Sequence, residues 1–383
     1  MTSLLIDKHE KFFNRCLTAL PSSVQSEDSN KLAIIYFCLH GLGLLKRLQL
    51  STSERDFFVN NIYNDFIIEK DEFTAFRATW WFKNVPEFDF PNLSATFFAL
   101  ASLLALEDDY SKKLDRHKVM RFVSLCQVKS GPNKGSFVPT LTNEDGKNDE
   151  TNQFEGQFGE TDLRLCYIAV CIRKLLKYDT CDPVNDIDEQ ELIEFVLSRI
   201  NYNGGMSSRS KDESHLGLTF VGIACLRLLN YDLTQPIFQK TTNWLVHRHV
   251  DYPPSLYTQE YTYYVEEDIG GFNGRENKFS DTCYSWWCTG SLEMLDLENL
   301  KLLDLKSAQK YLLQRTQSAL MGGFGKDPDS TPDPLHSYLA IACFSLWNKH
   351  HAEEDRVDLD SIDPTMVISQ RLSLFLSEHV NFD

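Results

Sequence analysis

The stretch GGFNGRENKFSDTCYSWWCTGSLEML, Gly270 to Leu295, joins two unlike halves. A glycine pair opens a polar loop carrying Arg275 and Lys278, and from Asp281 onward the residues are apolar around most of a helical circumference. The same order recurs, which marks an internal repeat. GSF (Gly135 to Phe137), GGM (Gly204 to Met206) and GGF (Gly322 to Phe324) precede DLRLCYIAVCIRKLL (Asp162 to Leu176), HLGLTFVGIACLRLL (His215 to Leu229) and PLHSYLAIACFSLW (Pro334 to Trp347). NLSATFFALASLLAL (Asn92 to Leu106) is a further copy without its glycines. Helices apolar nearly all round are buried inner helices. DEQELIEFVLSRI (Asp188 to Ile200) and LKSAQKYLLQRTQ (Leu305 to Gln317) are instead amphipathic and suit an outer layer. No convincing alternation of apolar and polar residues suggests a sheet. The fold class is therefore all-α, with inner and outer helices alternating in an open solenoid or a closed αα-barrel.

Registered at their first residues, the buried segments place Asp162, His215 and Asp281 in the first position and Arg164, Cys283 and His336 in the third. If the inner helices run parallel around a ring, their N-terminal ends open on one face. Residues far apart in sequence then converge there.

Composition removes several partners. With 38 basic and 55 acidic groups the formal charge is −17, which repels nucleic acid and anionic membranes. The best apolar run, LAIIYFCLHGLGLL (Leu32 to Leu45), is too short to span a bilayer and carries a histidine and two glycines. MTSLLIDKHEKFF lacks a signal-peptide core, so the chain reads as soluble and cytoplasmic. The ten cysteines, Cys16, Cys38, Cys126, Cys166, Cys171, Cys181, Cys225, Cys283, Cys288 and Cys343, contain no CxxC pair. Reduced core thiols fit this usage better than a disulfide framework. Nine read as core residues, and Cys283 is the exception.

Asp281, Cys283 and His336 supply a carboxylate, a thiolate and an imidazole. Three such ligands with a fourth position open suit a catalytic zinc, whereas a structural zinc closes with four. Singly, Asp281 reads as an N-cap, Cys283 as core and His336 as a hydrogen-bonded core histidine. Their shared register joins them. Arg275, Lys278 and Tyr284 flank Asp281, and His215 opens another inner helix. Such donors, with helix N-termini, can neutralise a diphosphate. Arg275 and Lys278 also read as solvated loop charges. The loop lacks the GxxxxGK[ST] pattern of a P-loop. A zinc, an anion clamp and an aromatic-lined cavity together describe a thiolate displacing diphosphate from an apolar chain.

These residues carry a resemblance to the beta subunits of protein prenyltransferases: GGFNGRENKFSDTCYSWW with DPLHSYLAIACFSL (Asp333 to Leu346), supported by GGM followed by ESHLGLTF (Glu213 to Phe220). Within the family the chain looks most like the beta subunit of protein geranylgeranyltransferase type I, through KHEKFFNRCLTALP (Lys8 to Pro21) and through Asp281-Thr282-Cys283, where the farnesyl branch has DGC. TNEDGKNDETNQ (Thr142 to Gln153) reads by composition as a polar surface loop, and HHAEEDRVDLDS (His350 to Ser361) as an exposed linker to a short C-terminal helix. The resemblance implies an αα-barrel spanning 1–383 as a single domain, with these polar loop excursions near 142–153 and 350–361, in an obligate heterodimer with an alpha subunit. It implies one zinc per beta subunit on Asp281, Cys283 and His336, and diphosphate on His215, Arg275, Lys278 and Tyr284. Lys326 aligns with a lysine that replaces a magnesium-binding aspartate, so magnesium is not expected to be required. Ala33 stands where a bulky tryptophan shortens the farnesyl cavity. Phe37 and Leu335 match the peptide's aliphatic pocket, Leu339 replaces an aromatic near the lipid end, and Glu160 and Arg164 match groups that hold the peptide carboxylate through water. Asn92 departs from the family's histidine in that network.

The implied reaction transfers geranylgeranyl from its diphosphate to the cysteine of a C-terminal Cys-aliphatic-aliphatic-X motif, with X often Leu or Phe, on proteins such as Rho-type small GTPases. A farnesyltransferase beta subunit is the nearest alternative, and Trp286-Trp287 resembles the Rab-specific branch. A non-catalytic helical scaffold is the alternative of another class. A terpene cyclase is disfavoured, because no DDxxD or DxDD run is present.

Overall fold

The computed structural model describes residues 3–83, 85, 88–142, 156–180, 184–252 and 265–382. Its α-helices are α1 (Ile6–Thr18), α2 (Lys31–Leu44), α3 (Thr52–Asn61), α4 (Leu93–Ala105), α5 (Arg116–Cys126), α6 (Leu163–Leu175), α7 (Glu189–Leu197), α8 (Leu216–Leu228), α9 (Ile237–Val246), α10 (Thr282–Leu295), α11 (Leu305–Tyr311), α12 (Pro334–Trp347) and α13 (Gln370–His379). Strands among the described residues are confined to three short antiparallel hairpins. The chain forms two compact units: Met1–Leu20, Phe37–Leu48 and Ile200–Arg371 in the first, Pro21–Tyr36, Gln49–Arg199 and Leu372–Asp383 in the second.

In the first unit α10 packs between α8 and α12, and all three bury residues around most of their circumference. Phe220 of α8 is fully buried against Trp286 and Trp287 of α10, with centroids 6.1 and 4.8 Å apart, a burial worth ~1.5–3 kcal/mol. α9, packed on α10, and α11 bury one face only. In the second unit α4 and α6 are buried all round and pack together, and α5 lays one face on α6. The inner and outer classes expected from the sequence are thus the two helix types present.

The repeated glycine has a mechanical reason. Gly270 sits at φ +86°, the left-handed region open to glycine, and a Cβ there would strike the backbone of Ser307 on α11. Gly135, Gly204 and Gly322 repeat the conformation against Glu191, Lys240 and Lys8. Two residues after each glycine an isolated bridge forms, Phe137 with Gln127, Met206 with Ile200, Phe272 with His249 and Phe324 with Gln317. The carbonyls of Met206, Phe272 and Phe324 then accept the N–H of His215, Asp281 and Asp333, the residues that cap α8, α10 and α12. Asn92, in the copy without glycines, makes the same bond to Phe76 at the end of a hairpin, Ile67–Glu69 with Thr74–Phe76.

One sequence register needs correcting. The cap of α12 is Asp333, not Pro334, which occupies the first helical turn. Counted from the caps, Cys283 and Arg164 are at N2 but His336 is at N3. The fourth helical position confirms this count, since Thr96, Thr219 and Ser337 there accept the N–H of Phe76, Met206 and Phe324.

The polar excursion near 142–153 lies outside the described residues beyond Thr142. The stretch 350–361, read as an exposed linker, is mostly exposed but pinned: Leu359 is buried, and the Asp360 carbonyl accepts from Ser345 Oγ at 2.6 Å. No helix among the described residues is long and apolar enough to cross a membrane.

Candidate metal centre and its surroundings

Asp281, Cys283 and His336 come together in the first unit. One ligand atom from each, a carboxylate oxygen, Sγ and an imidazole nitrogen, lies within 4.8 Å of the others. Asp281 Oδ1 caps α10 by accepting the Cys283 N–H at 2.8 Å and stands 3.2 Å from His336 Nε2. Capping and ligation are therefore not rival readings of Asp281. His336 is held from behind by Asp333, whose Oδ1 accepts the His336 backbone N–H at 2.9 Å and whose Oδ2 lies 2.6 Å from Nδ1. With the Nδ1 hydrogen on Asp333, Nε2 is the nitrogen presented to Asp281 and Cys283, the carboxylate-backed arrangement typical of metal-binding histidines.

The electrostatics suit a cation. Burial disfavours a charged His336, yet Asp281, Asp333 and Cys283 together hold its proton well above the usual imidazole range. Burial pushes the Cys283 thiol up to about 12, opposed by His336. Burial also works against the Asp281 carboxylate, but its bonds to His336 and Cys283 prevail and lower its pKa. Protons thus balance a carboxylate, a thiol and an imidazole at this spot, and a divalent cation would replace them. The donor set fits zinc.

Of the anion-binding candidates, Tyr284 follows Cys283 on α10 and bonds His215. His215 caps α8 through its ring: Nδ1 accepts from the Gly217 and Leu218 N–H groups at 3.1 and 3.4 Å. Its hydrogen is therefore on Nε2, which donates to Tyr284 Oη at 3.1 Å and leaves the phenolic hydrogen for another acceptor. Arg275 is exposed and pairs with Glu213 at 3.0 Å, an exposed pair worth little and easily exchanged. Lys278 and Lys326 are exposed, and neither has an ion pair among the described residues. The Gly325 and Lys326 carbonyls accept from Thr282 Oγ1 and N at 2.7 and 2.8 Å, fastening the Lys326 turn to the start of α10.

Leu335 is half-buried and Leu339 buried on α12, and the Phe37 ring packs at a tilt against Tyr338, with centroids 5.9 Å apart. Ala33, Asn92, Glu160 and Arg164 belong to the second unit. There Asn92 caps α4 through Oδ1 on the Ala95 N–H, Glu160 is exposed, Arg164 Nε donates to Asp162 at 2.8 Å, and Ala33 is half-buried on α2.

Sequence reasoning missed Asp333 and Gly274. Asp-Pro ahead of an apolar run is a cap signal, and it would have placed a carboxylate three residues before His336. Gly274 carries no such signal: its carbonyl accepts the Leu216 N–H at 2.8 Å, and a Cβ on it would overlap the Tyr284 ring.

Comparison with known proteins identifies the fold. Residues 4–368 match the prenyltransferase alpha-alpha toroid domain. The chain is 28% identical over 364 residues to the geranylgeranyl transferase type-1 subunit beta of Dictyostelium discoideum, covering 89% of this chain and 90% of the relative. It is 26% identical over 368 residues to the protein farnesyltransferase subunit beta of Schizosaccharomyces pombe, covering 92% and 81%. A solved structure of Candida albicans protein geranylgeranyltransferase-I complexed with GGPP superposes with a TM-score of 0.91 at 53% identity, over 99% of this chain and 100% of that one. The expected closed αα-barrel is the family's toroid, and the chain belongs to the prenyltransferase alpha-alpha toroid family.

Proposed function

We propose that this chain is the catalytic beta subunit of a cytoplasmic protein geranylgeranyltransferase type I, acting as one domain with an alpha subunit. It would transfer geranylgeranyl from the diphosphate to the cysteine of a C-terminal Cys-aliphatic-aliphatic-X motif on proteins such as Rho-type GTPases. The observation that carries the reading is the Asp281, Cys283 and His336 cluster at the N-terminus of α10, followed on that helix by Tyr284, which bonds His215, with the exposed Arg275 and Lys278 on the loop that leads into α10 and the exposed Lys326 on the turn bonded to Thr282. The solved Candida albicans relative, which holds GGPP, supports the choice of lipid.

Asp281, Cys283 and His336 would hold zinc, which when bound stabilises a substrate cysteine as its thiolate. Asp333 keeps the His336 ring in the ligating tautomer. On the other side, Tyr284 O–H, Arg275 and Lys278 receive the negative charge that develops on departing diphosphate, and His215 sets the Tyr284 hydroxyl. Lys326, fixed beside Thr282, supplies a permanent charge in place of magnesium. Phe37, Leu335 and Leu339 would line the apolar pockets, with Ala33 leaving room for the longer lipid. Glu160, Arg164 and Asn92 would address the peptide carboxylate.

The test is a single-turnover competition between geranylgeranyl and farnesyl diphosphates for a peptide ending Cys-Val-Leu-Leu. The chain is co-purified with an alpha subunit, zinc is measured and magnesium is withheld. Geranylgeranyl thioether with one zinc per heterodimer is expected. Mainly farnesyl product would move the chain to the sister branch, and no product with no zinc would overturn the catalytic reading.

A further inference from the structure

Of the three exposed cations, Arg275 alone has an anionic partner among the described residues: Nη1 donates to Glu213 Oε2 at 3.0 Å, while Lys278 and Lys326 have no ion pair. Nearness in sequence does not set the choice. Glu276, the residue after Arg275, is already taken, accepting from Trp244 Nε1 at 3.2 Å and Asn203 Nδ2 at 3.4 Å. Arg275 reaches instead to the segment that leads into α8.

The backbone on each side of this pair is fastened. Ahead of α8, Asn201 Nδ2 donates to the Asp212 carbonyl at 2.8 Å and to Ser214 Oγ at 3.0 Å, Ser214 Oγ donates to Asn203 Oδ1 at 2.8 Å, and the His215 N–H donates to the Met206 carbonyl at 2.8 Å. Ahead of α10, the Asn273 N–H donates to the Arg248 carbonyl at 2.9 Å and the Gly274 carbonyl accepts from Leu216. The two side chains are the parts left to move, and each is about half exposed. A pair of this kind is given up at little cost when a phosphate oxygen offers a stronger charge-assisted bond. Glu213 stands two residues before His215, and Arg275 follows Gly274, against which the Tyr284 ring rests, so each partner adjoins one member of the His215 and Tyr284 pair.

We propose that Glu213 is a positioning residue for the transfer reaction, acting through Arg275: it holds the guanidinium while no diphosphate is bound and competes with diphosphate for it. On entry of the prenyl diphosphate, Arg275 exchanges a carboxylate oxygen for a phosphate oxygen. Once the thioether has formed, Glu213 reclaims Arg275 and weakens the hold on inorganic diphosphate. The inference rests on the anion-binding role proposed above for Arg275, and adds to it the group that limits how tightly the leaving group is kept.

The test is the affinity for inorganic diphosphate of the full chain co-purified with an alpha subunit, measured by titration calorimetry in the parent, Glu213→Gln, Arg275→Gln and the double variant. Removing the competitor should tighten binding roughly 2- to 5-fold in Glu213→Gln, the range of one exposed ion pair. A merely structural role predicts the opposite sign, because a damaged site binds less. In the Arg275→Gln background the change at Glu213 should have no effect, since the two act as one unit. Asp212→Asn removes a neighbouring exposed charge without touching the pair and should reproduce little of the gain. Unchanged or weaker binding in Glu213→Gln, an equal gain in Asp212→Asn, or a gain that persists without Arg275 would each overturn the proposal. A parent heterodimer that binds no inorganic diphosphate would overturn the anion-binding reading itself, and this inference with it.

Discussion

Tyr284 stands where it does because residue 274 has no side chain. The Gly274 carbonyl is pinned by the Leu216 N–H at 2.8 Å, and a Cβ would overlap Tyr284 Cζ and Oη. Gly274 lies outside the left-handed region, so alanine is tolerated by the backbone and the overlap alone is tested. Because the loop is held at α8, the ring must yield, and Tyr284 then loses the His215 Nε2–H bond at 3.1 Å. A hydrogen bond to a charged group is worth ~1.5–3 kcal/mol, so if Tyr284 donates to the diphosphate, Gly274→Ala should lower kcat/KM roughly 10- to 160-fold. The assay compares kcat/KM for geranylgeranyl diphosphate in Gly274→Ala, Tyr284→Phe and the double variant, with metal content and thermal unfolding as controls. Removing one interaction twice costs little more than once, so the double variant should match the slower single variant. Multiplying effects, or a Gly274→Ala enzyme as fast as the parent, would refute the argument that glycine serves the tyrosine.

Other perturbations separate the remaining parts. Cys283→Ala should lose bound zinc and activity together, measured by metal analysis of the purified heterodimer, whereas retention of both would remove Cys283 from the site. Asp333→Asn weakens the hold on the His336 ring, and zinc affinity measured against a chelator should fall roughly 10- to 100-fold while the chain stays folded. Ala33→Trp should shift preference toward farnesyl diphosphate in the competition assay, and an unchanged preference would show that Ala33 does not bound the lipid. His9 is fully buried, with Nδ1 accepting from Gly323 and Nε2 donating to Gln317 Oε1 at 2.9 Å, and burial lowers its pKa from 6.5 to about 4. The unfolded chain therefore binds the extra proton first. Stability from this residue is full above pH 6.5 and falls by about 3 kcal/mol as pH drops toward 4. Urea unfolding of the parent against His9→Asn should show that slope only in the parent.

What was legible in the sequence was local, and the helix ends show why. Asn92, Asp162, His215 and Asp281 each cap the helix that the apolar pattern predicted, because a cap must be a side chain that accepts from the first amides. The register slipped at α12 because its segment was counted from Pro334, a residue suited to the first turn but unable to cap. The hydroxyls of Thr96, Thr219 and Ser337 would have corrected it, since each accepts an amide from the preceding bridge strand. The seat of Tyr284 on Gly274 had no local signature, because it depends on where a second element is brought to rest. The metal cluster lies between these cases. Asp281 must be an oxygen acceptor to begin α10 and must be a carboxylate to face His336, so one residue satisfies a local and a distant demand. A repeat that places every cap at the start of a buried helix presents its polar atoms where the apolar pattern begins, and there a reading of chemistry from sequence can succeed.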